Sequence, residues 1–231
     1  MISFDEFSQN LNRLKERIGL ACASCGRNPD EVRILPVTKN HPVDAALHAQ
    51  KAGLLSVGEN RVQEAEGKIP LSSGISWELI GHLQSNKAKK AVMLFDRVQS
   101  LDSIHLAVKL NSEAEKAGKV LRVLMQVNSG RDPAKFGAEI EEAPKLLEEI
   151  LKLSNLKVEG LMAIAPLDED LASASRAFSN LRNLRDKLSS DFDVALPELS
   201  MGMSGDLECA IKEGSTLIRV GTFLFGERIY V

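Results

Sequence analysis

From Arg33 to Pro42 the chain reads RILPVTKNHP, and this stretch sets the pattern for the rest of the sequence. Its apolar run of Ile34, Leu35 and Val37 is typical of a buried parallel strand, which we expect to end at Lys39. The following Asn-His-Pro stops the strand, and a helical pattern comes directly after it. A strand followed at once by a helix is the first half of a βαβ unit.

Lys39 stands where such a unit forms its ligand site, since that site is built at the carboxyl ends of parallel strands and in the loops that follow. Two interpretations fit a lysine there. It can be a surface residue whose stem covers apolar surface while its amine reaches water. It can also be a nucleophilic amine that forms a Schiff base with a carbonyl compound. The position alone leaves both open.

Length and charge narrow the class of protein. The 231 residues suffice for one well-buried domain, and we expect residues 1–231 to form a single domain. The 29 basic and 32 acidic residues are interspersed and give a net charge of −3, so the broad basic surface of a nucleic-acid-binding protein is absent. No apolar run is long enough for a membrane span, and the acidic N-terminus lacks a secretion signal. We therefore expect a cytoplasmic protein without nucleic-acid or membrane partners.

The three cysteines do not indicate a disulfide framework or a metal site. Cys22 and Cys25 form a C-x-x-C within a helical pattern, but no second cysteine pair accompanies them, and Cys209 lies far away in sequence. We interpret all three as free thiols.

Eight short β-like runs alternate with helical patterns after residue 33. Seven helices between eight strands predict a (β/α)₈ barrel rather than an open doubly wound sheet, because no G-x-G-x-x-G follows the first strand. The predicted strands end at Lys39, Asn60, Gly81, Asp102, Asn128, Ile164, Gly202 and Gly221.

An additional helix precedes the first strand. Ser3 and Glu6 form a capping-box pattern ahead of apolar residues spaced by three and four, and the helix should end near Gly26. Since the barrel lacks a long final helix, we expect this N-terminal helix to fill the vacant place in the outer ring.

The last two units carry the clearest signs of a binding site. Ser204 and Gly205 lie between a strand and a helix, and Gly221 and Thr222 follow the eighth strand, so both places offer hydroxyl and backbone N–H groups to an anion. Turn formation and helix capping by Ser204 explain the same residues equally well. Arg219, two residues before Gly221, should face the barrel interior or its mouth.

Motifs throughout the chain resemble the pyridoxal phosphate homeostasis protein family, the single-domain relatives of the alanine racemase barrel. The similarity extends from Lys39 to Gly226. The motifs occur in the order VTKNHP, GENRVQE, IGHLQSNK, VQSLD, VNSGRDPAKFG, GLMAIA, LSMGMSGDLECAI and GSTLIRVGTFLFG. The resemblance implies the alanine racemase N-terminal type of (β/α)₈ barrel, with pyridoxal 5'-phosphate (PLP) as its cofactor.

The same resemblance assigns roles to residues of this chain. It implies that Lys39 holds the cofactor as a Schiff base, that Arg219 faces the pyridine nitrogen, and that Asn60 lies near the ring. Three further positions would bind the cofactor phosphate, namely Ser204, Gly221 and Thr222. An arginine beside the pyridine nitrogen disfavours its protonation and makes the ring a weaker electron sink.

Members of that family are carriers or regulators of PLP and amino-acid pools without an established reaction. By this resemblance we expect a monomer that is not an enzyme, with apo PLP-dependent enzymes as candidate partners. The alternatives are a PLP-dependent amino-acid racemase and, more weakly, an interaction scaffold. A racemase needs a second base opposite Lys39. Tyr230, the only tyrosine, is next to the last residue, and His82 is the better candidate.

Overall fold

The computed structural model describes residues 2–166 and 171–226. Eight parallel strands form one sheet in the order β1-β8-β7-β6-β5-β4-β3-β2, so consecutive strands from β2 to β8 lie side by side and β1 lies beside β8. The strands are Arg33–Pro36 (β1), Ser56–Glu59 (β2), Ser76–Leu79 (β3), Arg97–Leu101 (β4), Leu121–Gln126 (β5), Leu156–Met162 (β6), Glu198–Ser200 (β7) and Leu217–Val220 (β8).

The sheet closes into a barrel in two places. β1 pairs with β8 in register from Arg33 opposite Leu217 onward. β1 meets β2 through a single parallel bridge between Val37 and Gly58, where the Thr38 N–H also donates to the Gly58 carbonyl oxygen at 2.9 Å. The predicted (β/α)₈ barrel is therefore confirmed.

Helices connect successive strands and pack their apolar faces on the sheet. The described helices are Phe4–Ser24 (α1), Asp44–Lys51 (α2), Val62–Lys68 (α3), Ala88–Leu94 (α4), Ile104–Lys116 (α5), Ala143–Leu151 (α6), Leu171–Phe192 (α7), Leu207–Lys212 (α8) and Thr222–Phe225 (α9). No described helix is long and apolar enough to cross a membrane.

The N-terminal helix α1 fills the gap in the outer ring, as predicted. Its capping box is formed: the Ser3 hydroxyl accepts from the Glu6 N–H, and the Glu6 carboxylate accepts from the Ser3 N–H. Phe7 stacks on Phe225 with ring centroids 5.3 Å apart and also lies against His48 of α2. α1 thus joins the first outer helix to the last one and covers the seam of the barrel.

The strands end earlier than predicted. Lys39 follows the end of β1 by three residues, and Asn60 follows the end of β2 by one. β1 stops at Pro36 because its partner β8 stops at Val220, where the chain turns into α9. The polar residues that were expected to end the strands therefore lie in the loops just beyond them.

Candidate functional site

A cavity of about 530 Å³ opens at the carboxyl ends of the strands. All six residues that the sequence marks as cofactor-binding line it: Lys39, Asn60, Ser204, Arg219, Gly221 and Thr222. They come from the loops after β1, β2 and β7 and from β8 and the turn that follows it. The barrel therefore brings together residues that are up to 183 positions apart, Lys39 and Thr222 being the extremes.

The backbone just before Lys39 is held firmly. Thr38 is fully buried, and its hydroxyl donates to Glu59 Oε1 at 2.8 Å. Its carbonyl oxygen accepts from Lys68 Nζ, also at 2.8 Å. On the other side Asn40 has a left-handed φ of 59°, and its N–H donates to Glu64 Oε2 at 2.9 Å. Lys39, itself partly buried, is thus anchored on both sides at the cavity wall.

Glu59 and Lys68 form the buried support beneath this turn. Lys68 Nζ lies 2.5 Å from Glu59 Oε1, and the Glu59 side chain is fully buried. Burial raises the pKa of Glu59 above its ordinary value, while the charge of Lys68 acts in the opposite direction. A carboxyl with a raised pKa binds its proton more tightly in the folded state, so its contribution to stability falls as the pH rises above its ordinary pKa.

Asn60 and Gly81 form the wall beside Lys39. A Cβ on Gly81 would lie only 2.2 Å from the carbonyl oxygen of Asn60, so this position accepts no side chain. The Asn60 N–H donates to Glu59 Oε2 at 3.2 Å. Glycine thus permits the close approach of the loops after β2 and β3 that places Asn60 at the cavity.

The loop after β7 carries Ser204. Its neighbour Asp206, and not Ser204, is the N-cap residue of α8, so the capping interpretation of Ser204 is wrong. The Asp206 carboxylate instead turns back and accepts from the Met203 N–H at 2.5 Å. Burial raises the pKa of Asp206, whereas that hydrogen bond and the nearby Arg219 lower it. Ser204 itself lines the cavity.

Gly221 and Thr222, at the end of β8, line the same cavity as Ser204. Thr222 is the first residue of α9, and the first N–H groups of a helix have no acceptor within it. A Cβ on Gly221 would lie 3.2 Å from the Val37 carbonyl oxygen, so glycine also suits the tight passage between β1 and β8. Hydroxyl and N–H donors therefore converge at this end of the cavity.

Arg17 of α1 contacts the loop after β7 and the turn after β8 from outside the cavity. Its Nε donates to Glu208 Oε1 at 2.8 Å, and its two terminal nitrogens each lie 3.4 Å from the Ser204 carbonyl oxygen. Its guanidinium carbon also lies 5.2 Å from the centre of the Phe223 ring. The N-terminal helix therefore contributes to the shape of this end of the cavity.

Arg219 forms the floor of the cavity. It is buried, and its guanidinium donates to the Ser200 carbonyl oxygen at 2.7 Å, the Ser200 hydroxyl at 2.8 Å and the Ala163 carbonyl oxygen at 2.8 Å. These bonds use three of its five N–H groups. Burial lowers the pKa of Arg219 to about 10, against the influence of Asp206, so the residue stays cationic at neutral pH.

The loop after β5 forms one side of the mouth. Gln126 donates to the Phe136 carbonyl oxygen at 2.8 Å. The Phe136 ring stacks on His82, with centroids 3.9 Å apart and an interplanar angle of 9°. His82 Nδ1 lies 3.2 Å from Asp102 Oδ2. The loop that carries the motif VNSGRDPAKFG thus packs against the histidine that is the candidate second base.

Sequence reasoning missed several residues around the site. Arg17, Asp206 and Gln99 were not singled out, although a buried glutamine within the apolar run VQSL was a signal available in the sequence. Tyr230 lies outside the described residues. Within the described part of the chain, no group of three or more His, Cys, Asp and Glu residues could hold a metal ion.

The ring of eight parallel strands, the extra N-terminal helix and the cationic cavity define a barrel of the alanine racemase N-terminal type. A family model described as "Alanine racemase, N-terminal domain" matches residues 2–229. An alanine racemase from Clostridium difficile has the same fold with a TM-score of 0.78 at 18% identity; the match covers 96% of this chain and 57% of that one.

Two other proteins are more similar. The pyridoxal phosphate homeostasis protein of Aquifex aeolicus is 42% identical over 224 residues, which cover 96% of this chain and 98% of the relative. The structure of PipY from Synechococcus elongatus, determined with PLP bound, is 39% identical with a TM-score of 0.80; it covers 90% of this chain and 100% of that one. The chain belongs to the pyridoxal phosphate homeostasis protein family, as its motifs predict.

Proposed function

We propose that this chain binds PLP in the cavity at the barrel mouth and helps to maintain the intracellular PLP pool. One observation carries the proposal: the six residues that the family motifs mark as cofactor-binding line a single cavity. A relative of 39% identity is known with PLP bound, and curated relatives are named for PLP homeostasis. The proposal takes residues 1–231 as one domain of a monomeric, cytoplasmic protein.

The residues present suit this cofactor. PLP is a flat ring that carries an aldehyde and a phosphate and, when bound, supplies a carbonyl for attachment to an amine and an electron-accepting ring. Lys39 offers the amine, and Arg219 places N–H donors at the cavity floor. Hydroxyl and N–H groups for the phosphate come from Ser204, Gly221 and Thr222. Asn60 lines the same cavity.

Attachment to Lys39 is tested by borohydride reduction, which converts a Schiff base into a stable secondary amine. Trypsin does not cleave after a modified lysine, so the label should appear on peptide 34–51. Lys135 lines the same cavity and is the matched control; its modification would appear on peptide 132–145. Label on 132–145 instead of 34–51, or a protein that contains PLP but yields no labelled peptide, contradicts the Lys39 assignment.

A role in homeostasis is tested by transfer. The PLP-loaded protein should lose its yellow colour when it is mixed with an apo-enzyme, which should gain activity in proportion. The borohydride-reduced protein is the control, because its cofactor is fixed covalently and is not released. Retention of the colour in the presence of an apo-enzyme would argue against a carrier, and a protein that takes up no PLP would favour the scaffold interpretation.

Racemisation is the second candidate, and His82 is the observation that favours it. Its position at the mouth and its contact with Asp102 resemble those of an oriented proton acceptor. Its ring is stacked face to face on Phe136, which fixes the plane of the imidazole. Curated relatives are named for PLP homeostasis and not for racemisation, and on that ground we propose a protein without racemase activity.

The loaded protein should show no sustained conversion of L-amino acids into D-amino acids in deuterated water. Exchange of the Cα proton without inversion would fit Lys39 acting alone. Turnover to the D-enantiomer that His82→Ala abolishes would establish the racemase.

A further inference from the structure

The guanidinium of Arg219 is the last member of a buried chain of polar groups inside the barrel. It donates to the Ser200 hydroxyl at 2.8 Å, and that hydroxyl donates to Gln99 Oε1 at 2.6 Å. Gln99 Nε2 in turn donates to Glu78 Oε2 at 2.6 Å, which also accepts from Arg97 Nε at 2.7 Å. All five side chains are at most 4% exposed.

The direction of each hydrogen bond in this chain is fixed by its chemistry. Arginine only donates, and a carboxylate paired with it only accepts, so the Gln99 amide must turn its NH₂ group towards Glu78. This leaves the Gln99 carbonyl facing Ser200, which can therefore donate its single proton only to Gln99. The Ser200 hydroxyl oxygen consequently presents a lone pair to the N–H of Arg219.

We propose that Ser200 and Gln99 are positioning residues for Arg219, and that they fix the distance between its guanidinium and the ring nitrogen of PLP. The inference rests on the proposed function, because it needs PLP in the cavity with its ring towards Arg219. It adds two residues that do not touch the cofactor and act only through the arginine.

The physical basis is the dependence of ring protonation on a nearby cation. A positive charge disfavours the protonated ring nitrogen, and the effect falls with distance. For a cation at hydrogen-bond distance, a retreat of about 1 Å corresponds to about a tenfold larger protonated fraction, taking Coulomb's law with an effective dielectric constant of about 20. A loosened guanidinium would therefore alter the ring without altering any residue that contacts it.

Among the described residues, Ser200 is the only side chain that accepts a hydrogen bond from Arg219. The remaining acceptors of Arg219 are the backbone oxygens of Ser200 and Ala163, which stay in place in any side-chain variant. Asp206 acts on Arg219 through its charge alone. Removal of the Ser200 hydroxyl leaves one N–H of a buried guanidinium without its acceptor, which is unfavourable and drives the group to reorient.

The test uses PLP labelled with nitrogen-15 in the ring, whose chemical shift reports protonation directly. Ser200→Ala and Gln99→Met should each raise the protonated fraction of the bound ring about tenfold at a pH where it is mostly unprotonated in the wild type. The double variant should show no further increase, because the two residues act in series. Besides Arg219, the titratable groups that line the cavity, Lys39, His41, His82 and Lys135, are unchanged in all variants.

Ser100→Ala is the matched control. Ser100 lies next to Gln99 on β4, is equally buried, and its hydroxyl has no hydrogen-bond partner within the described residues. Thermal unfolding of every variant is measured in parallel. If the buried polar groups had only a structural role, Ser200→Ala would lower the unfolding temperature but give the same nitrogen-15 shift as Ser100→Ala. That result would overturn the inference.

The variant Arg219→Met distinguishes a failure of this inference from a failure of the assignments on which it depends. Wild-type protein that takes up no labelled PLP means that the proposed function fails. If Arg219→Met binds PLP but leaves the shift unchanged, the arginine does not face the ring nitrogen. If Arg219→Met changes the shift but Ser200→Ala and Gln99→Met do not, only the positioning role is refuted.

Discussion

Replacing Arg17 with alanine should weaken the binding of PLP much more than the binding of pyridoxal, which lacks the phosphate. Arg17 does not line the cavity, but it contacts the Ser204 loop and the ring of Phe223, directly after Thr222. Removal of the Arg17 side chain should leave the average positions of the Ser204 loop and of the turn at Thr222 unchanged but allow both to move more freely. Only a ligand group held between these loops would detect the change.

The magnitude follows from the contacts. The Arg17 and Glu208 side chains are 32% and 43% exposed, so solvent screens their pair, which contributes at most about 1 kcal/mol. The cation–π contact with Phe223 adds about 0.5–1 kcal/mol. The 3.4 Å approaches to the Ser204 carbonyl oxygen are long and contribute little. A total of about 1–2 kcal/mol corresponds to a five- to thirtyfold loss of PLP affinity if the bound state depends on all of it.

Equilibrium titration of the apo-protein with each ligand measures both affinities. Arg13→Ala is the control, since Arg13 is an exposed arginine one turn earlier on the same helix. Arg17→Lys should recover only part of the affinity, because a lysine cannot pair with the carboxylate through two nitrogens. Equal losses for PLP and pyridoxal, or an Arg17→Ala protein as tight as Arg13→Ala, would refute the reasoning.

Three further predictions concern the site. Joint replacement of Ser204 and Thr222 by alanine should lower PLP affinity at least about tenfold and leave pyridoxal little affected, as dialysis would show; equal losses would remove the phosphate assignment. Lys68→Met should lower the unfolding free energy by about 3 kcal/mol near pH 8 and by less as the pH falls, because burial raises the pKa of Glu59 and protonation removes its unpaired charge; urea unfolding that shows the same loss at every pH would contradict this. His82→Ala removes a stacking partner of the mouth loop and should speed PLP release about threefold in stopped-flow transfer, and an unchanged rate would count against that loop as a barrier.

The alternation of strands and helices was predictable from the sequence because each strand is buried on both faces and each helix on one. Strand ends were less accurate, since they depend on partners distant in sequence. β1 continues in character through Val37 and Thr38, yet its ladder stops at Pro36 because Val220 is the last strand residue of β8. A sequence pattern records the apolar run but not the length of the strand beside it.

The residues of the site also differ in how well the sequence predicts them. Lys39 and Ser204 lie in local motifs, so their positions were predictable from neighbouring residues. Arg17 and Gln99 act on residues 187 and 101 positions away, and nothing near them in sequence reveals those contacts. Their role follows from the barrel, which brings α1 beside the β7 loop and β4 across from β7.

The polar interior of the barrel supports a role in orientation rather than in stability. A buried ion pair such as Arg97 with Glu78 contributes little net stability compared with apolar residues of similar size, because both charges lose their hydration. Arg219 is costlier still, since all its direct acceptors are neutral. A barrel selected for stability alone would fill this space with leucine and valine. What the charges do supply is direction: the carboxylate fixes the amide of Gln99, the amide fixes the hydroxyl of Ser200, and the hydroxyl fixes the arginine at the cavity floor.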